Sequence, residues 1–167
     1  MDTNHHTTLP ISTHCFICGK DNPAGLKSKF FVKDDVVILP LSATQHHCGY
    51  PDKVHGGVIA AALDECMGWA AARSIKRMCL TGELKVRYLR PVPVKEGLAV
   101  HAETVSAHRR MAHTKAVLKD EEGTEYARAE GKFIPLSAED TLFVDDHLVY
   151  EGHEERVFDS LRAETRP

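Results

Sequence analysis

The sequence has no run of about 20 apolar residues, the length that crosses a bilayer, so no part of it is expected to span a membrane. Residues 1–10 carry neither the basic region nor the apolar core of a secretory signal, and we therefore expect a cytoplasmic protein. An excess of positive charge is also missing, because 24 Asp and Glu against 21 Lys and Arg give a formal net charge of −3. This balance argues against nucleic acid or a membrane surface as partners.

The remaining composition is that of one ordinary soluble domain of 167 residues, with 43% apolar and 27% charged residues. Its unusual counts are five Cys and eleven His. An odd cysteine count without a secretory signal does not predict a disulfide framework. Zinc ligands could come from Cys15 and Cys18, beside His14, if this segment met residues 46–48 (HHC). A single C-x-x-C without a matching second pair is weak, so no metal and no cofactor are assigned.

A helix is predicted from Gly56 to about Arg77, because apolar residues recur there at three- and four-residue spacing. This apolar stripe consists of Ile59, Ala62, Leu63, Cys66 and Ala70. A second stripe is made of small residues with one carboxylate, Asp64, in its middle; its other members are Gly57, Ala60, Ala61, Gly68 and Ala71. A helix of this kind is expected to be buried on most sides.

Strand patterns flank the helix on both sides. Two short strands are predicted around a turn at Asp34 and Asp35, and four follow the helix. The four lie at about 80–89, 97–107, 111–119 and 124–134. Short connections favour antiparallel pairing, so the fold class is α+β, with one long central helix wrapped by an antiparallel sheet.

Three parts of the chain are expected. Residues 1–14 are polar and predict a flexible N-terminal segment, and residues 15–136 form the main domain. Residues 137–167 form a C-terminal helical extension, because Ser137 and Asp140 resemble the start of a capped helix.

The clearest chemical feature is Asp64, since a carboxylate among small and apolar residues is costly unless it is paired, hydrated or used. Gly56 lies at the predicted helix start, where unpaired N–H groups favour a developing oxyanion. The two residues are eight positions apart, which is about 12 Å along a helix. They could act on one carbonyl only if two copies of the chain shared the site across a two-fold interface. A hydrogen-bonded structural carboxylate is the alternative reading of Asp64.

Several segments resemble the acyl-CoA thioesterases of the hot-dog fold, in particular the PaaI-like branch. The central one is residues 50–68 (YPDKVHGGVIAAALDECMG), which hold an HGG motif and a DE pair. Residues 15–19 (CFICG), 22–26 (NPAGL) and 84–92 (LKVRYLRPV) also match. The resemblance implies that residues 15–136 are a hot-dog domain, and that it acts on small or medium acyl-CoA thioesters as a homodimer or a dimer of dimers.

The resemblance also implies roles for single residues. The Gly56 N–H would polarise the thioester carbonyl, and Asp64 would be nucleophile or general base. Thr81, at the start of the strand after the helix, would orient water. By strand parity, Thr81 is expected to share a face with Glu83, Lys85 and Arg87. A surface threonine is the alternative reading of Thr81.

Further residues are expected to contact substrate. His55 and Gly57 flank Gly56 in the HGG motif, and Cys48 stands where the family commonly has Gln or Asn as a donor to the carbonyl. A thiol is a weak donor, so Cys48 puts the strength of carbonyl binding in question. Arg87 and Arg90 are candidates for the phosphates of coenzyme A, although for any one arginine a solvated strand-edge charge is the simpler interpretation.

Two other functions stay open at this point. One is a non-catalytic acyl-CoA-binding or regulatory module, because fold does not dictate function. The other is a dehydratase of 3-hydroxyacyl thioesters, in which His55 would have to meet Asp64 across a dimer.

Overall fold

The computed structural model describes residues 7–165 of the chain. The strands in this range are β1 (Thr7–Thr8), β2 (Ile11–Ser12), β3 (Phe31–Lys33), β4 (Val36–Pro40), β5 (Cys48–Tyr50), β6 (Lys53–Val54), β7 (Cys79–Tyr88), β8 (Leu98–His108), β9 (Met111–Asp120), β10 (Glu125–Pro135) and β11 (Leu148–Val149). The helices are α1 (Gly56–Ile75), α2 (Ala138–Asp146) and α3 (Asp159–Glu164), with a 3-10 turn at Gln45–His47.

Seven strands form one sheet in the order β1-β3-β4-β8-β9-β10-β7, and every pairing in it is antiparallel. The long helix α1 packs on strands β4, β7, β8, β9 and β10 of this sheet. Asp34 and Asp35 have φ of 49° and 63° and turn the chain from β3 into β4, as predicted. The α+β architecture with a central helix wrapped by an antiparallel sheet is therefore confirmed.

Helix α1 lies in the core, packed against the sheet. All five residues of its apolar stripe are buried. It ends where Lys76 takes a left-handed φ of 58° and donates its N–H to the carbonyl of Ala72. In the small-residue stripe, Ala60, Ala61, Asp64 and Gly68 remain partly exposed. Within residues 7–165, no helix has both the length and the apolar character needed to cross a membrane.

Part of the expected flexible segment, residues 1–14, is packed in the structure. Strand β1 pairs with β3, and β2 pairs with β11 near the C-terminus. Leu9 and Ile11 are buried in the core, which explains why these residues are held. Residues 1–6, on which the rest of this expectation falls, lie outside the described residues.

The C-terminal extension contains the two helices α2 and α3, with Gly152 at φ 112° between them. Ser137 caps α2 by accepting the N–H of Asp140, as its sequence pattern predicts. Burial of Phe158 and Leu161 shows that the extension packs on the domain. Residues 166–167 lie outside the described range.

Candidate active site

Asp64 lies on the small-residue stripe of α1, facing the start of β7. The Thr81 hydroxyl donates a hydrogen bond of 2.8 Å to Asp64 Oδ1. Partial burial raises the pKa of the Asp64 carboxyl above its ordinary value, and the hydrogen bond from Thr81 partly opposes this shift. Among residues 7–165, no hydrogen bond uses Asp64 Oδ2, so this oxygen is available to a ligand.

The prediction that Thr81 shares a strand face with Glu83, Lys85 and Arg87 is wrong. A β-bulge in β7 places Thr81 opposite Phe133 and Glu83 opposite Lys132, so Gly82 is an extra residue in this strand. The bulge reverses the alternation and turns Thr81 toward α1, away from the face that carries Glu83. Glycine suits the position, because a Cβ there would lie 3.3 Å from the carbonyl oxygen of Lys132.

The start of α1 presents one backbone donor. His55 is the N-cap residue, and its Nδ1 accepts the Gly57 N–H at 2.9 Å. Among the hydrogen bonds of residues 7–165, none uses the Gly56 N–H as donor. The Tyr88 hydroxyl donates to the Gly56 carbonyl at 2.8 Å and ties the end of β7 to the helix start. Sequence reasoning missed this role of Tyr88, for which residue type and spacing carry no signal.

The structure does not bring Asp64 and Gly56 together within one chain. Asp64 is bonded to Thr81 near the first residues of β7, whereas Gly56 is bonded to Tyr88 at its last residue. Thr81 and Tyr88 are seven positions apart, and one of these positions is the bulge, so about 20 Å of strand separates the two anchor points on β7. Within one chain, Asp64 and Gly56 therefore lie toward opposite ends of one strand.

Cys48 lies in the small β5–β6 hairpin just before α1. Its Sγ is 3.5 Å from the side-chain oxygen of Gln45, so an amide side chain does lie next to this thiol. The Gln45 amide nitrogen donates to Asp52 at 2.8 Å. Buried His47 accepts the Thr44 N–H and contacts the carbonyl of Ala24, which holds the hairpin in place.

Of the two predicted arginines, Arg87 lies within β7 and Arg90 lies just after the end of this strand. Arg87 is exposed and lines a groove on the sheet together with Lys85 and Arg128. Arg90 follows β7 and donates to the carbonyl of Glu125 at 2.5 Å. Neither contacts Asp64.

Glu65 has surroundings that the sequence did not reveal. Its carboxylate accepts a hydrogen bond from the Cys15 thiol at 3.4 Å. Removal from water raises the pKa of Glu65 to about 8. Cys15, Cys18 and Glu65 lie beside Asp64 and Thr81 around a cavity of about 300 Å³. Residues 46–48 take no part in this cluster, so the zinc arrangement that would join them to Cys15 is not formed.

The thioesterase superfamily model matches residues 52–127, from the turn before α1 into β10. A curated relative, acyl-coenzyme A thioesterase THEM4 of Mus musculus, is 29% identical over 98 residues. The match covers 58% of this chain and 42% of the relative, so the chain spans about two fifths of that protein's length.

Several solved structures are similar to this chain in fold. A crystal structure of a thioesterase superfamily protein superimposes with a TM-score of 0.67 at 29% identity, covering 72% of this chain and 63% of that one. Zebra fish thioesterase superfamily member 2 gives 0.63 at 14% identity, over 71% and 90% of the two chains. A Streptococcus mutans UA159 protein bound to acetyl CoA gives 0.60 at 16% identity, over 66% and 89%. The chain is therefore similar to the thioesterase superfamily in sequence over residues 52–127, and its fold resembles that of solved thioesterase-superfamily proteins with the hot-dog fold.

Proposed function

We propose that this protein hydrolyses a small or medium acyl-CoA thioester at a site shared by two copies of the chain, as a PaaI-like thioesterase. The observation that carries the proposal is Asp64, partly buried on the central helix and bonded at Oδ1 by Thr81. The curated relative is named an acyl-coenzyme A thioesterase, and the Streptococcus mutans protein binds acetyl CoA. Both support acyl-CoA as the substrate class.

Asp64 can drive the reaction in two ways. As general base, its free oxygen takes a proton from water while that water attacks the thioester carbon, and coenzyme A leaves as the thiol after proton transfer. As nucleophile, the carboxylate attacks the same carbon and expels the coenzyme A thiolate. Water then hydrolyses the resulting anhydride and regenerates Asp64. Thr81 fixes the carboxylate in either case.

The negative charge that develops on the thioester oxygen needs a preorganised donor. The Gly56 N–H at the start of α1 suits this role, because it has no acceptor among the described residues and lies at the positive end of a 20-residue helix. His55 uses its side chain to satisfy Gly57, which leaves Gly56 as the donor for the ligand. Cys48 and His55 would then flank the thioester.

A two-fold dimer through β7 would bring Asp64 of one chain near Gly56 of the other. This ten-residue strand lies at one edge of the sheet, where β10 is its only partner among the described strands, and its other side is thus open to a second copy. Antiparallel pairing of β7 with itself places the start of one strand beside the end of the other. Asp64 and Thr81 of one chain would then face Gly56 of the partner subunit. Two such sites per dimer follow, and dimers of dimers are compatible with this pairing.

Coenzyme A brings phosphates that require cations. Arg90 lies just beyond the end of β7, near Tyr88, and Arg87 is exposed one residue before Tyr88. Their guanidinium groups can donate two hydrogen bonds to one phosphate. We propose that these arginines hold the coenzyme A part of the substrate while the acyl group enters between the copies.

The experiment is a thiol-release screen with saturated acyl-CoA substrates from acetyl to octanoyl, run beside calorimetric binding of the same compounds. We expect release of free coenzyme A by the wild-type protein and binding without release by Asp64→Asn. Binding without release by the wild-type protein would contradict hydrolysis and identify an acyl-CoA-binding module.

Replacing Thr81 by Val keeps the shape of the side chain and removes the hydroxyl that bonds Asp64. Because a hydrogen bond to a charged group contributes about 1.5–3 kcal/mol, kcat/KM should fall by roughly ten- to a hundredfold. Thr81→Ser is the matched control and should keep most of the rate, since it retains the donor. Equal rates for Thr81→Val and the wild-type enzyme would show that this hydroxyl has no part in positioning Asp64.

A further inference from the structure

Residues 15–19 (CFICG) form a tight turn that aims backbone donors at one sulfur. Cys15 Sγ accepts the N–H of Ile17 at 3.2 Å and that of Cys18 at 3.4 Å. The Gly19 N–H closes the turn on the Cys15 carbonyl at 2.9 Å. A Cβ at Gly19 would lie 2.5 Å from the Cys15 backbone nitrogen, so the turn requires glycine. Backbone N–H groups directed at a sulfur favour its thiolate, which is the form that binds metals.

A third acidic group meets this turn from the central helix. The Cys15 thiol lies 3.4 Å from Glu65 Oε1, and one ligand atom each of Cys15, Cys18 and Glu65 lie within 4.8 Å of one another. Cys18 is buried, and the other two are partly buried. In residues 7–165, no Lys, Arg or His forms an ion pair with Glu65. Three acidic groups in one place, away from water, need either protons or a bound cation.

We propose that Cys15, Cys18 and Glu65 bind one divalent metal ion of the zinc class, with a fourth position open to the cavity beside Asp64. Two sulfurs and a carboxylate oxygen are a donor set suited to zinc. In a tetrahedral zinc site, a sulfur ligand and an oxygen ligand stand about 3.6 Å apart. The observed separation of 3.4 Å between Cys15 Sγ and Glu65 Oε1 thus requires little movement on binding.

The ligand set argues for a metal rather than for a Cys15–Cys18 disulfide. A disulfide would use the two thiols but leave the Glu65 carboxylate without a counter-charge. A cation accounts for all three groups and also joins the N-terminal turn to α1, across 50 residues of sequence. Metal binding would therefore order residues 15–18 on the helix that carries Asp64. This site does not depend on the proposed hydrolysis.

The test uses the full chain, reduced and stripped with a chelator, then titrated with zinc and measured by elemental analysis after gel filtration. We expect one zinc ion per chain, and Co²⁺ in its place should give a thiolate-to-metal charge-transfer absorption. Cys15→Ser, Cys18→Ser and Glu65→Gln should each weaken zinc binding by about a hundredfold or more. Cys79→Ser is the matched control, because Cys79 lines the same cavity but is outside the cluster, and it should keep the zinc.

Two results would overturn the site. One is a wild-type protein with both thiols reduced that binds no stoichiometric zinc and gives no charge-transfer band with Co²⁺. The other is a Cys79→Ser variant that loses zinc as fully as Cys15→Ser, which would refute the assigned ligands. If the serine variants fail to fold in thermal unfolding, the cobalt spectrum of the wild-type protein decides alone.

Discussion

The Asp64→Asn enzyme should hydrolyse acyl-CoA with a kcat about 10²- to 10⁴-fold below that of the wild-type enzyme. Asn has the same shape as Asp and can still accept the Thr81 hydrogen bond, but it neither takes a proton from water nor attacks a carbonyl. The measurement is initial-rate thiol release at saturating substrate, with the acyl-CoA that the wild-type enzyme turns over fastest.

Two controls accompany this variant. Thermal unfolding and sedimentation should show that Asp64→Asn is folded and in the same oligomeric state as the wild-type protein. Its affinity for the substrate should change little, because the loss is confined to the chemical step. A kcat equal to that of the wild-type enzyme would remove Asp64 from the mechanism.

The Gly56→Pro variant should lose about 10²- to 10³-fold in kcat, because it removes the backbone N–H assigned to the oxyanion. Proline is tolerated at the first position of a helix, and the preceding His55 has φ −61° and ψ 137°, which a following proline allows. The helix should therefore remain, while its free donor disappears. Steady-state thiol release measures the effect, with circular dichroism to check the helix.

Gly56→Ala is the matched control for this change. It keeps the N–H, and its added Cβ would lie 3.6 Å from the Tyr88 ring, an ordinary contact. We expect its kcat to stay within about tenfold of the wild-type value. If Gly56→Pro were as active as Gly56→Ala, the oxyanion donor would have to be sought elsewhere.

Local patterns predicted the framework of the fold from the sequence. The three- and four-residue spacing of Ile59, Leu63 and Cys66 gave α1, and these residues are indeed buried. The turn at Asp34 and Asp35 was also predicted, since short polar segments between strand patterns indicate turns. Each of these features depends on neighbours within a few residues, which the sequence alone displays.

Features that depend on pairing with distant segments were not predictable. The bulge at Gly82 follows from the register of β7 against β10, where Thr81 and Glu83 face the consecutive residues Phe133 and Lys132. Without that register, simple alternation put Thr81 on the wrong face of the strand. The alternation rule holds only for a strand without an inserted residue.

The same limit applies to Glu65 and to the N-terminal segment. Glu65 contacts Cys15, which is 50 residues away in the sequence. The residues next to Glu65 on the helix therefore did not indicate this contact. Leu9 is buried although Thr7 and Thr8 before it are polar, since burial is decided by the sheet and the C-terminal extension packed nearby. The residue types indicated which chemical groups the chain carries. Contacts between distant segments determined which of these groups lie together.

The central claim is that one active site combines Asp64 of one chain with Gly56 of the partner subunit, and subunit mixing tests it most directly. Asp64→Asn and Gly56→Pro proteins, each inactive alone, are mixed in equal amounts and allowed to exchange subunits before thiol release is measured. If the site is shared, half of the dimers are mixed and each has one intact site, so activity should recover to about a quarter of the wild-type value. No recovery, after complete exchange has been verified by mass, would contradict a shared site.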